Sequence, residues 1–303
     1  MDLVNAFTVD VEDYFGVTAF EKDIRRDQWD QYDSRVVANT QRILRLLDRH
    51  EVKATFYILG WVAQQHPHLV SEIHSAGHEI GSHGFWHRLI YNQTPDEFRK
   101  DLQQSRDVLT DIIGESILAY RAPSFSITRR SRWALDILVE EGFRYDSSIF
   151  PIHHDRYGIP DAKPGIHRLD TSAGPIWEFP PSVAQFGRLN LPVSGGGYFR
   201  LYPLSWTTYC LARINRRAGR PFMFYVHPWE VDPQQPHLPV GTRASQFRHR
   251  VNLASTERKL GRLLQTFRFG PLGEVIRHAE QEFQAPAANK ASWTPRGENA
   301  TRC

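Results

Sequence analysis

Short apolar segments alternate with amphipathic helical segments along most of this chain of 303 residues. The segment Lys53–Leu59 is apolar and rich in β-forming residues, which predicts a buried strand. The segment before it, Arg35–His50, carries its apolar residues on one helical face. Repeated strand–helix units predict an α/β fold with a parallel sheet and right-handed crossovers. Both an open doubly wound sheet and a closed, irregular barrel fit this pattern.

The remaining predicted elements extend this alternation nearly to the C-terminus. Further strands are predicted at Asn5–Val9, His78–Ser82, Leu118–Ala122, Phe143–Asp146, Ile176–Pro180, Phe222–Val226 and Phe267–Phe269. Further helices are predicted at Val62–Ala76, 94–113, Thr128–Glu141, Ser205–Ala218, Leu253–Thr266 and Pro271–Phe283. The polar, aperiodic tail at 285–303 is predicted to be disordered. We therefore expect a single domain at 1–284, with a more specialised C-terminal part at about 185–284.

Composition excludes several classes of partner and cofactor. A formal net charge of +3 is too small to indicate nucleic-acid binding, and no glycine-rich phosphate loop occurs. The two cysteines form no disulfide or metal pattern. No apolar run approaches the roughly 18 residues of a membrane span, which predicts no stable membrane insertion. The N-terminus lacks the features of a signal peptide, so we expect a cytoplasmic protein.

The first chemical motif follows the first predicted strand and contains three carboxylates, those of Asp10, Glu12 and Asp13. Burying like charges together is costly unless a cation or proton compensates. The motif therefore suggests a metal ligand beside a general base at the carboxyl end of a strand, where α/β sites form. The ordinary alternative is a polar strand exit whose carboxylates cap backbone groups or face water.

The second motif, Gly81–His87, contains His83 and His87, four residues apart. On a helical turn this spacing places two side chains on one face, about 5–6 Å apart at Cβ. Two imidazoles at that separation can bind one divalent ion at about 2.0–2.1 Å. With one carboxylate they would form a three-ligand catalytic site, whereas packing in the core is the alternative.

Three more polar residues end other predicted strands. Arg121 precedes a proline-fixed turn and can orient a carboxylate, although surface arginines also occur there. Asp146 can support Arg121 or tune a histidine, or it can simply form a turn. His227 ends a buried strand, where it is placed to act as a general acid or to pack as a core histidine. The joint placement of these groups at strand ends favours a catalytic site.

As an ordered set, the motifs VDVEDYF, SHGFWH, YRAPSF, DSSIFP, GGGYFR and FYVHPWE resemble the polysaccharide deacetylases of the NodB-homology group, carbohydrate esterase family 4. The resemblance covers roughly residues 5–283 and looks closest to the subfamily of exosortase-linked exopolysaccharide loci. It implies a distorted (β/α) barrel and metal-dependent removal of N-acetyl groups from an amino-sugar polysaccharide or oligosaccharide. The implied cofactor is a divalent metal, most simply zinc, and the implied partner is the acetylated glycan.

The resemblance also implies residue roles. Asp10 matches the general base, Arg121 the arginine that holds it, and His227 the general acid. His83 and His87 match the metal-binding histidines. Pro123 and Phe125 match a groove wall, and the Ser124 N–H matches an oxyanion donor. Apart from the resemblance, Trp229 is an aromatic residue near the site that can stack on a sugar ring or pack in the core.

The chain departs from the family pattern at two places. Val11 follows Asp10 where adjacent aspartates are usual, so either Glu12 or Asp13 is the expected metal carboxylate. Ile149 replaces a common tryptophan, which leaves a pairing of Asp146 with His227 open. Two other functions stay possible: an amidohydrolase acting on a cyclic imide or ureide, and a catalytically silent carbohydrate-binding protein. The sequence does not indicate the oligomeric state.

Overall fold

The computed structural model describes residues 3–154, 157–187 and 189–284. The tail predicted to be disordered therefore lies outside the described residues. Eleven strands are assigned within those ranges. They are β1 (Val4–Val11), β2 (Thr55–Ile58), β3 (Glu79–Ser82), β4 (Ala119–Tyr120), β5 (Tyr145–Asp146), β6 (His167–Thr171), β7 (Gly174–Glu178), β8 (Val183–Phe186), β9 (Leu189–Pro192), β10 (Met223–Val226) and β11 (Arg268–Gly270).

Ten α-helices occupy the same ranges. They are α1 (Val36–Arg49), α2 (Gly60–Gln65), α3 (Pro67–Ser75), α4 (Pro95–Ile113), α5 (Trp133–Glu140), α6 (Gly196–Leu201), α7 (Leu204–Arg217), α8 (Arg243–Arg250), α9 (Leu253–Thr266) and α10 (Leu272–Gln284). The single helix predicted at Val62–Ala76 is two helices, because Pro67 lacks an N–H and forces His66 out of helical geometry. None of these helices combines the length and apolarity of a membrane span.

Nine of the strands form one sheet in the order β10-β1-β2-β3-β4-β5-β7-β6, with β11 also pairing with β1. Every pairing is parallel except that of β6 with β7. The α/β class and the parallel sheet are thus confirmed. Within the described residues the edge strands β6 and β10 do not pair, so the barrel is distorted and open. Next to β10, Tyr225 N–H donates to Ser194 O at 2.8 Å.

Strand β1 lies in the middle of the sheet and is buried along nearly its whole length. Phe7 and Val9 belong to the larger hydrophobic cluster, whereas Ala6 belongs to a second cluster. Because both faces are buried, apolar residues occur on both faces of this strand rather than in alternation. Its buried polar residues Asn5 and Thr8 are hydrogen-bonded, and Asp10 lies near its carboxyl end.

The strand register aligns the carboxyl ends of four adjacent strands. Val11 of β1 pairs with Ile58 of β2, Ile58 with Ser82 of β3, and Ser82 with Tyr120 of β4. The residues that immediately follow these positions therefore emerge at one edge of the sheet. This edge is where the sequence motifs are located.

Candidate active site

Glu12, His83 and His87 form a cluster of metal-ligand type at this edge. One ligand atom from each lies within 4.8 Å of the others, and all three side chains are buried. Glu12 Oε2 lies 2.8 Å from His87 Nε2 but has no hydrogen-bond partner among the described residues. Ligand atoms that share one ion at about 2.0–2.1 Å lie at comparable separations. An orphaned buried oxygen beside two imidazoles therefore fits a divalent cation.

The His83 ring is oriented by the backbone of the neighbouring strand. Its Nδ1–H donates to the carbonyl oxygen of Arg121 at 2.8 Å, which leaves Nε2 available as a ligand. Burial lowers the pKa of His83 to about 4, and His87 adds to this lowering. Burial alone would raise the pKa of Glu12, but His87, His227 and His83 bring it to about 2. A neutral imidazole and an ionised carboxylate are the ligand forms that a metal requires.

The loop that carries the two histidines is not the helical turn that the sequence predicts. β3 ends at Ser82, and His87 adopts a left-handed conformation with φ 53°. Such a conformation is costly for a non-glycine residue and persists where the surroundings enforce it. The Asp101 carboxylate accepts from the N–H groups of Phe85 and Trp86 at 2.7 and 3.2 Å, which holds the loop.

Arg26 supports the same loop from the opposite direction. Its Nε donates to Trp86 O at 2.6 Å, and its Nη2 donates to His87 O at 3.1 Å. Neither Asp101 nor Arg26 belongs to a motif that predicts the site from the sequence. Asp101 lies within the amphipathic helix α4 and Arg26 begins a 3-10 helix, so no local pattern marks them.

Asp13, the alternative metal carboxylate, forms hydrogen bonds at the start of α1. Its Oδ2 accepts from Ser34 Oγ at 2.7 Å and from the N–H groups of Arg35 and Val36 at 3.0 and 3.2 Å. These bonds satisfy N–H groups at the start of α1 that the helix itself leaves unpaired. Burial raises the pKa of Asp13 to about 6 despite these bonds. The structure thus corrects the prediction of Asp13 as a metal ligand: it is a helix cap, and Glu12 faces the histidines.

Asp10 and Arg121 form a buried ion pair beside this cluster. Arg121 Nη1 donates to Asp10 Oδ1 at 2.5 Å and to Thr8 Oγ1 at 2.8 Å. Its Nη2 donates to Ser147 Oγ at 2.9 Å, and the side chain is fully buried. The predicted contact between the two residues is therefore present. A fixed guanidinium limits the directions in which the second oxygen of Asp10 can point.

That second oxygen faces His227. The distances from His227 Nε2 are 3.9 Å to Asp10 Oδ2 and 3.6 Å to Glu12 Oε1. Burial alone would lower the pKa of His227, but its hydrogen bond to Glu230 and the charge of Glu12 raise it to about 9. A protonated imidazole at this position can act as a proton donor.

Asp146 is not the partner of His227. Its Oδ1 accepts from Ser148 Oγ, and it lies in the strand register directly beside Glu178. Burial raises the pKa of Asp146, and burial together with the charge of Asp146 raises that of Glu178 well above its usual range. Two adjacent buried carboxyl groups retain a proton between them. The pairing of Asp146 with His227, which the sequence left open, is thus absent: the carboxylate at His227 Nδ1 is that of Glu230, three residues further along the chain.

A cavity of about 520 Å³ opens above these groups. Ser124 and Phe125 line it, and both have left-handed backbones with φ 51° and 53°. Pro123 is buried in the turn behind them. Trp229 also lines the cavity but is only 6% exposed, and its Nε1 donates to Glu12 Oε1 at 3.3 Å. Most of its side chain is therefore covered by protein atoms, and only a small part faces the cavity.

Two family models match adjacent parts of the chain. Residues 28–142 match the model described as polysaccharide deacetylase, and residues 147–277 match the model of a domain of unknown function, DUF3473. The second match begins well before 185, where the sequence analysis placed the specialised part. His83, His87 and Arg121 lie in the first region and His227 in the second, so one site draws on both.

Curated relatives match part of this chain. A peptidoglycan-N-acetylglucosamine deacetylase of Bacillus cereus is 33% identical over 98 residues, which are 32% of this chain and 36% of that protein. A peptidoglycan deacetylase of Helicobacter pylori is 27% identical over 114 residues, which are 38% of this chain and 37% of that protein. The chain therefore spans little more than a third of each of these relatives.

Solved structures match over nearly the whole fold. A crystal structure from Mycobacterium smegmatis, named as a polysaccharide deacetylase, has a TM-score of 0.61 at 21% identity, covering 97% of this chain and 93% of that one. PuuE allantoinase has a TM-score of 0.60 at 14% identity, covering 94% and 93%. These likenesses establish the distorted α/β fold. By the family match and the curated relatives, residues 28–142 are similar to the polysaccharide deacetylases.

Proposed function

We propose that this protein is a metal-dependent hydrolase that removes N-acetyl groups from an amino-sugar polysaccharide or oligosaccharide. The observation that carries the proposal is the convergence of three groups at one sheet edge. These are the Glu12–His83–His87 cluster, the ion pair of Asp10 with Arg121, and His227 Nε2 within 4 Å of both carboxylates. The family match and the curated deacetylases support the same reaction class.

Glu12, His83 and His87 would hold the metal, and the remaining positions would be open to water and substrate. A divalent ion bound there supplies Lewis acidity, which polarises a carbonyl oxygen and lowers the pKa of water. Zinc suits a set of two imidazoles and one carboxylate. That zinc is the native metal is part of the proposal.

Asp10 is the proposed general base. Its Oδ2 is the oxygen that Arg121 leaves free, and it faces the same space as the metal ligands. There it takes the proton of the attacking water as the new C–O bond forms at the acetyl carbon. Arg121 keeps the carboxylate in the orientation that this transfer needs. A positioned base commonly contributes 10²–10⁴-fold to rate.

His227 is the proposed general acid. When the tetrahedral carbon collapses, the C–N bond breaks and the amine nitrogen takes the proton from His227 Nε2. Acetate and the free amino sugar are the products. Transfer of the proton from Asp10 to His227 Nε2 returns both groups to their starting forms. The Ser124 N–H is the proposed oxyanion donor, and Phe125 and Trp229 are the proposed sugar contacts at the cavity.

A role in exopolysaccharide biosynthesis and a cytoplasmic location complete the proposal. The resemblance of the motifs to the exosortase-linked subfamily is the support for the first. The basic rim of the cavity at Arg248 would suit an acidic polymer.

The proposal is tested by acetate release from penta-N-acetylchitopentaose. The full chain is stripped with a chelator and then reconstituted with zinc. We expect acetate only from the reconstituted protein, together with an equal amount of free amine. Glycan binding without acetate release would instead support a silent binding protein.

A cyclic imide or ureide hydrolase is the second candidate, favoured by the likeness in fold to PuuE allantoinase. That likeness shows the fold alone. Parallel assays of hydantoin and allantoin ring opening separate the two reactions. Ring opening without acetate release would replace the deacetylase proposal.

A further inference from the structure

Two sequence segments that the family resemblance left without a role meet behind His227. Glu230 belongs to the segment that follows β10, and Arg200 belongs to α6. Arg200 Nε donates to Glu230 Oε2 at 2.6 Å, and the two side chains are only 3% and 1% exposed. Removing one partner of a buried ion pair strongly destabilises a protein, because the other charge is left buried and unpaired. The location of this pair beside the catalytic edge therefore calls for a specific explanation.

The other oxygen of Glu230 holds His227 twice. Oε1 accepts from His227 Nδ1 at 2.6 Å and from the His227 backbone N–H at 3.0 Å. One acceptor thus fixes both the backbone and the ring, and it selects the tautomer that carries a proton on Nδ1. Nε2 is then the nitrogen that faces Asp10 and Glu12. The ring is further restrained by Trp229, which stacks on it with centroids 5.1 Å apart.

Arg200 is itself rigidly held. Its Nη1 donates to the carbonyl oxygens of His249 and Val251 at 2.9 and 3.1 Å. The start of α6 lies against β10, where a Cβ at Gly195 would fall 1.9 Å from Tyr225 O, and Gly195 has φ 140°. Only glycine permits this approach. The three-glycine segment thus brings Arg200 under the Glu230 carboxylate.

Arg200 also offsets part of the negative charge around the His227 ring. The carboxylates of Asp10, Glu12 and Glu230 all lie around the His227 ring, and Arg121 bonds to only the first of them. An unpaired third carboxylate would be costly to bury. The charge of Arg200 offsets it, so Glu230 can stay ionised and accept from Nδ1.

We propose that Glu230, held by Arg200, is the positioning residue of His227, in the role that the sequence left open for Asp146. The proposal rests on His227 being the general acid of the proposed function. Glu230 is buried and does not line the cavity, so it acts only through the imidazole. Its effect is therefore confined to the step in which the leaving group takes a proton.

Because the effect is confined to this step, a comparison of amide and ester substrates distinguishes a positioning role from a purely structural one. Cleavage of an amide requires a proton on the departing nitrogen, whereas 4-nitrophenyl acetate expels a phenolate that needs none. In zinc-loaded full chain, Glu230→Gln should lower kcat on penta-N-acetylchitopentaose by about 10²-fold or more with little change in KM. Its rate on 4-nitrophenyl acetate should stay near that of the wild type.

Asp232→Asn is the matched control, because Asp232 is buried on the same segment but pairs with Arg35 and Asn39, away from His227. This variant should show no selectivity between the two substrates. Glu230→Asp keeps a carboxylate on a shorter side chain and should show a smaller selective loss of amide cleavage. It also provides the test if Glu230→Gln does not fold. In a His227→Ala background, Glu230→Gln should cause no further loss of amide cleavage.

A readout independent of turnover is the imidazole proton on Nδ1 of His227 in metal-free protein. We expect a low-field proton resonance that is lost in His227→Ala and Glu230→Gln and retained in Asp232→Asn. If this resonance behaves as expected but the wild type releases no acetate, the proposed function fails while the positioning contact stands. Equal losses on amide and ester in Glu230→Gln would overturn the positioning role, as would a selective loss in Asp146→Asn.

Discussion

Arg121 and Asp10 meet through a bond of 2.5 Å between Nη1 and Oδ1, and the two side chains are 0% and 3% exposed. They are 111 residues apart in the sequence. The contact connects the ends of β1 and β4, and it leaves Asp10 Oδ2 at 3.9 Å from His227 Nε2. Removing the charge of either partner should therefore lower both turnover and the free energy of unfolding, because the other charge is left buried and unpaired.

Asp10→Asn should lower kcat for acetate release by about 10²–10⁴-fold, because an amide cannot take the proton of the attacking water. Zinc content should stay at the wild-type stoichiometry, since Glu12, His83 and His87 are untouched. Acetate assay and elemental analysis of the same preparation check both parts. A variant that turns over at the full rate would exclude Asp10 as the base.

Glu12→Gln and Asp13→Asn should have opposite consequences. Glu12→Gln removes the ionised ligand and should abolish stoichiometric zinc binding. Asp13→Asn should keep the zinc and lower the free energy of unfolding by about 1 kcal/mol or more, since Asp13 caps α1. Zinc titration and chemical denaturation distinguish the two. Loss of zinc in Asp13→Asn with retention in Glu12→Gln would reverse the ligand assignment.

Asp101→Asn should weaken zinc binding by about 10–100-fold, the usual effect of losing a contact behind a metal ligand. Asn cannot replace both oxygens that hold Phe85 N–H and Trp86 N–H, so the loop with His83 and His87 loosens. Asp107→Asn is the matched control, because Asp107 is exposed on the same helix and bonds to Arg106. Competition with a chromophoric chelator measures both affinities. Equal affinities for the two variants would contradict the supporting role of Asp101.

Glu178→Gln should reduce the pH dependence of stability. The pKa of Glu178 is raised in the folded state by burial and by Asp146, so the native protein binds more protons than the unfolded chain. Its contribution is present below the unfolded pKa of about 4.5 and is lost as pH rises through the folded pKa. The Tm of the variant minus that of wild type should therefore increase from pH 5 to pH 8. A constant difference would show that the carboxyl pair does not retain its proton.

Much of the fold follows from sequence periodicity, and the deviations have local causes. α4 begins at the predicted residue because Thr94 and Glu97 form a reciprocal cap. The strands β8 and β9 were not predicted, since their alternation is short and lies in a segment rich in Gly and Pro. The antiparallel pairing of β6 with β7 likewise depends on contacts that no single window of sequence contains.

The site could be predicted from the sequence wherever the carboxyl end of a strand could be predicted. Asp10, His83, Arg121 and His227 meet because each lies at or just after the carboxyl end of a parallel strand. Glu12 could not be separated from Asp13 by sequence, because the choice depends on how the backbone turns after β1. The left-handed backbone of His87 and the Arg200–Glu230 pair were not predictable, since both are enforced by residues remote in the chain.

The central claim is that Glu12, His83 and His87 share one divalent ion. Its most direct test is a crystal structure of the zinc-loaded protein with anomalous data collected above and below the zinc edge. The account predicts a single strong peak at about 2.0–2.2 Å from one atom of each of these three residues. Absence of a peak there, or a peak whose carboxylate ligand is Asp13, would contradict it.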